Sequence, residues 1–83
     1  MNVLYFAWVK EKVGISEETV TPPADVTTVA QLTTWLAARS PKHAAAFKDA
    51  RLVKVAVDQV HVPPSTSIAG AREVAFFPPV TGG

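Results

Sequence analysis

Residues Val3 to Val9 form an apolar run of aromatic and β-branched types in which neither alternating face carries a charge. Read as a strand, Val3, Tyr5, Ala7 and Val9 point to one side and Leu4, Phe6 and Trp8 to the other. A strand apolar on both faces belongs in the middle of a sheet, with neighbours on each edge and cover on at least one face. The other 76 residues must supply that surround, and an 83-residue chain is enough for one small domain only. It contains no cysteine, so no disulfide staples the fold and no thiolate serves as nucleophile or metal ligand.

The remaining segments supply candidates for the surround. Lys10 to Gly14 reads as a short helical turn stopped by glycine, and Glu17 to Thr21 as a strand returning antiparallel to the first. Thr28-Val29-Ala30-Gln31 matches a capping box, in which the Thr and Gln side chains each satisfy a backbone donor left over at a helix start. Val29, Leu32, Trp35 and Leu36 then give one apolar face up to about Ser40. Ser40-Pro41 is a cap followed by proline at the first helical position, which predicts a shorter second helix over Lys42 to Lys48.

Val53, Val55 and Val57 alternate with Lys54, Ala56 and Asp58, which predicts a strand over Leu52 to Val57 with one face buried. Asp58-Gln59 is a turn, Val60 to Val62 a short strand ended by Pro63-Pro64, and Glu73 to Phe77 the last strand before Pro78-Pro79. Trp8 and Trp35 fall on apolar faces and read as core. The order of elements predicts an α+β domain over residues 1–77: a mixed sheet of four to five strands, with one main helix and a short second helix on one face. Residues 78–83 form a tail. This arrangement fits the ubiquitin-like β-grasp.

Several functions find no support. Eight Lys and Arg against seven Asp and Glu give a net charge of +1, and the basic residues are scattered, so no electrostatic stripe suits nucleic acid or an anionic membrane. No apolar run approaches the ~20 residues of a membrane span, and no signal peptide is recognisable; cytoplasmic location is the expectation. His43 and His61 have no carboxylate cluster at ligand spacing, so no metal site is expected. Neither G-x-x-x-x-G-K nor G-x-G-x-x-G occurs, no serine sits in a nucleophile elbow, and the chain is expected to bind no cofactor itself.

Two features resist a purely structural reading. Phe76 and Phe77 are neighbours on a strand and face opposite ways, so if one enters the core the other needs separate cover. A loop supplies that cover in one reading, and a partner protein in the other. The second feature is the tail. Pro78-Pro79 favours a stiff extended exit, six extended residues reach about 20 Å, and Gly82-Gly83 passes through a channel too narrow for side chains.

Glu73-Val74-Ala75-Phe76-Phe77-Pro78-Pro79-Val80-Thr81-Gly82-Gly83 resembles the C-terminal signature of the MoaD family, the small subunits of molybdopterin synthase. Phe6-Ala7-Trp8-Val9-Lys10-Glu11-Lys12-Val13-Gly14 is similar to the family's F-A-x-x-R/K-E-x-x-G segment, and Val57-Asp58-Gln59 to its V-N-Q turn with Asp for Asn. Ala71-Arg72 and Pro63-Pro64 depart from the family pattern.

The resemblance implies a sulfur carrier. An E1-like adenylyltransferase, using ATP and magnesium, activates the Gly83 carboxylate, and a sulfur donor converts it to a thiocarboxylate. Pro78, Pro79, Val80, Thr81 and Gly82 thread the tail into the large synthase subunit, where sulfur passes to cyclic pyranopterin monophosphate. The complex implied is a heterotetramer of two small and two large subunits, with the catalytic groups on the large one. By their matching positions, Phe77, Phe6, Lys10 and His61 form the partner interface. The alternatives are a carrier for thiamine or another thio-pathway, a ubiquitin-like protein modifier, and an interaction module with an inert tail.

Overall fold

The computed structural model describes residues 1–79. In chain order these form β1 (Asn2–Tyr5), α1 (Ala7–Val13), β2 (Glu17–Thr19), α2 (Val29–Ala37), α3 (Pro41–Ala46), a 3-10 turn (Ala50–Leu52), β3 (Lys54–Val57), β4 (Val60–His61) and β5 (Glu73–Phe77). The strands make one mixed sheet in the order β2-β1-β5-β3-β4, with β1 parallel to β5 and the other pairs antiparallel. The β1 run lies in the interior of the sheet, as its two apolar faces required.

That run is shorter than its composition suggests. It pairs only as far as Tyr5, opposite Phe76, and the Phe6 N–H donates to the Phe76 carbonyl at 3.0 Å. At Ala7 the backbone turns to φ 53°, a left-handed conformation uncommon for a residue with a Cβ, and the chain enters α1. Val9 and Val13 therefore reach the core from a helix, while Phe6 is left outside. The single helical turn read at Lys10–Gly14 is thus the end of a seven-residue helix, and the domain carries three α-helices among its described residues where two were expected. Gly14, at φ 93°, closes α1 by donating its N–H to the Lys10 carbonyl, a geometry glycine adopts without Cβ strain.

The caps form as read. Thr28 and Gln31 make the reciprocal capping box of α2, and the Ser40 hydroxyl accepts from the His43 N–H at the start of α3. Val29, Leu32 and Leu36 are buried beneath α2, although the helix stops at Ala37 rather than near Ser40. Strand β3 begins at Lys54, two residues later than expected, because Ala50 to Leu52 coil into the 3-10 turn. Asp58 and Gln59 both take positive φ, 48° and 71°, as a tight two-residue hairpin demands. The Asp58 carboxylate accepts from the N–H groups of Arg72 and Glu73, each at 3.0 Å, tying this turn to the start of β5.

The core lies between the sheet and the helices. Val3, Tyr5, Val55, Val74 and Phe76 face it from the strands, and Val9, Leu32, Leu36, Ala46 and Phe47 meet them. Phe76 packs edge-on to Phe47 at 5.0 Å and stacks on Tyr5 at 6.2 Å. Trp8 and Trp35 pack against this cluster half-buried, so they border the core rather than fill it.

Candidate functional site: the open sheet face and the exit of the tail

Strand alternation sends every second side chain of the central strands to the face that carries no helix. Leu4, Ala75 and Phe77 project there, and with Phe6, Gln59, His61 and Glu73 they line a shallow groove of about 530 Å³. Phe76, one residue away, is 1% exposed in the core, whereas Phe77 is half-buried with its ring 4.9 Å from that of His61. Among the described residues the ring beside Phe77 is that of His61, and Phe77 stays partly exposed on this face. Phe6 is 49% exposed at the other end of the groove, held outward by the turn at Ala7.

The four residues expected at an interface fall on this face or its margin. Phe6, His61 and Phe77 share the groove, and Lys10 borders an adjoining hollow that also contains Leu4 and Phe6. Leu4, Gln59, Glu73 and Ala75 were not singled out from sequence. The alternation of Val3 to Phe6 does place Leu4 beside Phe6, so that residue was within reach; Gln59 and Glu73 arrive through hairpin geometry and strand pairing. The groove is predominantly apolar, with Glu73 its single carboxylate among the described residues.

The tail starts at this groove. Pro78 and Pro79 are half-buried, and Pro79 shares a hollow with Lys54, Val55, His61, Val62 and Phe77. The chain thus leaves β5 flanked by the same His61 and Phe77 that line the groove. Val80, Thr81, Gly82 and Gly83 lie outside the described residues. No group of three or more His, Asp or Glu able to hold a metal ion occurs among the described residues. No described helix is long and apolar enough to cross a membrane.

A polar cluster that sequence reading did not find lies on the opposite, helical side. The Glu18 carboxylate accepts from the Tyr5 hydroxyl at 2.7 Å and from His43 Nε2 at 2.7 Å, with Arg39 Nη2 at 3.5 Å. His43 Nδ1 meets the Ser40 hydroxyl at 2.7 Å. Burial by itself raises the Glu18 pKa, but hydrogen bonds from His43 and Tyr5 and the charges of His43 and Arg39 together outweigh it, so the value is lowered. Tyr5 is displaced upward, first by burial and then by its bond to Glu18. These groups tie β1, β2 and α3 together by hydrogen bonds, and none of them lines the tail groove, so they read as structural.

The mixed sheet, the order of its strands and the helices on one face define a ubiquitin-like β-grasp domain. The chain belongs to the ThiS family, whose match runs over residues 3–83. It is 43% identical over 83 residues to a molybdopterin synthase sulfur carrier subunit from Escherichia coli K12, and 35% identical over 83 residues to one from Haemophilus influenzae; each alignment covers 100% of this chain and 99% of the relative. The crystal structure of SAMP1 from Haloferax volcanii superposes with a TM-score of 0.75 at 23% identity, covering 100% of this chain and 98% of the other, and so shares the fold. The resemblance read from the terminal motif is borne out.

Proposed function

We propose that this chain is the sulfur carrier subunit of a molybdopterin synthase, with the Gly83 carboxylate as its working group. The observation that carries this reading is that Pro78-Pro79, which lead in sequence into Val80-Thr81-Gly82-Gly83, leave β5 at the margin of an open apolar groove, in a chain 43% identical along its length to a carrier of that name. A free carboxylate is a poor electrophile. An adenylyltransferase partner, using ATP and magnesium, joins it to AMP and releases pyrophosphate; sulfide equivalents from a donor then attack the carbonyl carbon and AMP leaves, giving the Gly83 thiocarboxylate. The chain itself binds no cofactor in this cycle.

The loaded tail then enters the large synthase subunit, in a complex of two small and two large subunits, and surrenders sulfur to cyclic pyranopterin monophosphate. The groove around Phe77 supplies docking to both partners in turn, because a central aromatic in an apolar patch is where interface energy concentrates. Pro78 and Pro79 reduce the cost of ordering the tail, since each flexible residue fixed on binding costs roughly 1 to 2 kcal/mol. Catalytic groups belong to the partners, and the cycle takes place in the cytoplasm.

Incubating the chain with the adenylyltransferase, ATP, magnesium and a sulfur donor is expected to shift its intact mass by one oxygen-to-sulfur exchange. An unchanged mass refutes the carrier assignment. Deleting Gly83 is expected to abolish conversion of the pterin precursor by the reconstituted synthase while leaving the unfolding transition in place. Covalent conjugates to lysines of other proteins, with pterin conversion indifferent to the chain, point instead to a protein modifier.

A further inference from the structure

The larger of the two main surface hollows is not the tail groove. It lies on the helical side of the sheet, between α1, α3 and the 3-10 turn, and encloses about 570 Å³. Its apolar surface comes from Trp8, Ala45 and Leu52; Trp8 is half-buried and Leu52 is 50% exposed, the latter large for a leucine in a small domain. Its rim is cationic, with Lys12, Lys48 and Arg51, against one carboxylate, Asp49. That carboxylate is already engaged by Arg51, whose Nε and Nη2 donate to its two oxygens at 3.1 Å each.

The charge is concentrated here beyond what the composition implies. The chain has eight basic and seven acidic side chains, so with three of the basic and one of the acidic at this hollow, the rest of the molecule holds five against six. A protein that is nearly neutral overall therefore presents a local excess of positive charge around an apolar floor. Glu11, adjacent to Lys12 in sequence, does not line the hollow.

From this juxtaposition we infer that the Trp8–Leu52 hollow is a second docking surface, which accepts an acidic protein segment carrying a large apolar side chain. The apolar side chain seats on Trp8 and Leu52, and carboxylates on either side of it meet Lys12, Lys48 and the unused donors of Arg51. A small anionic ligand is a poorer fit, because such sites orient their ligand with buried polar groups, and every cation here is exposed. Nucleic acid is also a poorer fit, since three cations around one hollow do not track a phosphate backbone.

The hollow and the Phe77 groove lie on opposite faces of the sheet, so both can be occupied at once. An acidic partner on the helical face can hold the chain while its tail engages another protein. This inference stands on the charge and shape of the hollow and does not depend on what the tail carries.

The test is a two-dimensional NMR titration of the full chain with a twelve-residue peptide bearing a central Leu-Phe pair flanked by glutamates. Its glutamine counterpart and a twelve-nucleotide single-stranded DNA serve as comparators. The acidic peptide is expected to shift the Trp8 indole N–H and Leu52 methyl signals and to leave those of Phe77 and His61 in place. The double variant Lys12→Glu, Lys48→Glu, both at exposed positions, is expected to weaken binding at least tenfold while its unfolding transition stays unchanged. The inference is overturned by an absence of shifts at millimolar peptide, equal binding of the glutamine peptide, tighter binding of the DNA, or shifts that map to the Phe77 groove.

Discussion

Replacing Glu18 with alanine removes the acceptor shared by Tyr5 and His43 and tests whether the buried polar cluster holds the β1–β2 hairpin against α3. Tyr5 is 1% exposed and His43 8%, so neither donor gains full access to water when the carboxylate is gone. A buried donor left without a partner costs about 1 to 3 kcal/mol. Two such donors bound the loss at about 2 to 6 kcal/mol, and because the Glu18 side chain is itself 15% exposed, water reaching the vacated position holds the cost to about 2 to 4 kcal/mol. Against a total stability of about 5 to 15 kcal/mol this is a large fraction. In a domain of this size it lowers Tm by roughly 8 to 32 °C.

Urea titration followed by Trp8 and Trp35 fluorescence reads the loss directly, and Tyr5→Phe supplies the control. In the wild-type background that substitution removes one hydrogen bond and is expected to cost about 1 kcal/mol. In the Glu18→Ala background it removes an orphaned hydroxyl and is expected to cost nothing. The lowered Glu18 pKa adds a pH signature. A carboxyl whose folded-state value lies below its unfolded one contributes stability that is present above the unfolded value and is lost as pH falls through the folded one. Wild type is therefore expected to lose more stability than Glu18→Ala on acidification below about pH 4. A Glu18→Ala cost under about 0.5 kcal/mol, the ordinary range for surface changes, refutes the reasoning, as does an undiminished cost for Tyr5→Phe in the double variant.

The adjacent phenylalanines are expected to separate stability from docking. Phe76→Ala empties a core position and should cost about 3 to 5 kcal/mol in urea unfolding. Phe77→Ala should cost about 1 kcal/mol or less there while weakening affinity for the large synthase subunit by about 30-fold, equivalent to about 2 kcal/mol for a central aromatic anchor, as measured by calorimetric titration. At the β3–β4 turn, Gln59 occupies a left-handed position with φ 71°. Gln59→Gly gives the Asp-Gly pair such hairpins favour and should raise stability by about 0.5 kcal/mol, which thermal unfolding can measure.

Where local chemistry determined the outcome, the sequence was legible. The Thr28–Gln31 box, the Ser40-Pro41 start and the Gly14 stop act over four residues or fewer, and each forms where it was read. Strand alternation over Phe76-Phe77 required that only one of the two rings enter the core, because consecutive side chains on a strand cannot share a face, and the fold buries Phe76. The boundary between β1 and α1 was not legible. An apolar run is compatible with a buried strand or with the inner face of a helix, and the switch at Ala7 uses a backbone conformation that alanine does not advertise. The Glu18–His43 pair was hidden for a different reason. The two residues are 25 positions apart and meet only when β2 and α3 pack together.

The Ala7 switch also explains how one short chain separates its two tasks. Had β1 continued as a strand to Val9, Phe6 and Trp8 would stand on the same face of the sheet and Val9 would not arrive from above the core. Turning into a helix at Ala7 sends Val9 and Val13 into the core, carries Trp8 round to the helical side, and leaves Phe6 exposed beside the tail groove. The left-handed alanine costs on the order of 1 kcal/mol, offset by the burial of two valines at about 1.5 kcal/mol or more each. The open sheet face is thereby kept free of helices, and substitutions there should alter partner affinity with little loss of stability, whereas those around Tyr5, Glu18 and His43 should do the reverse.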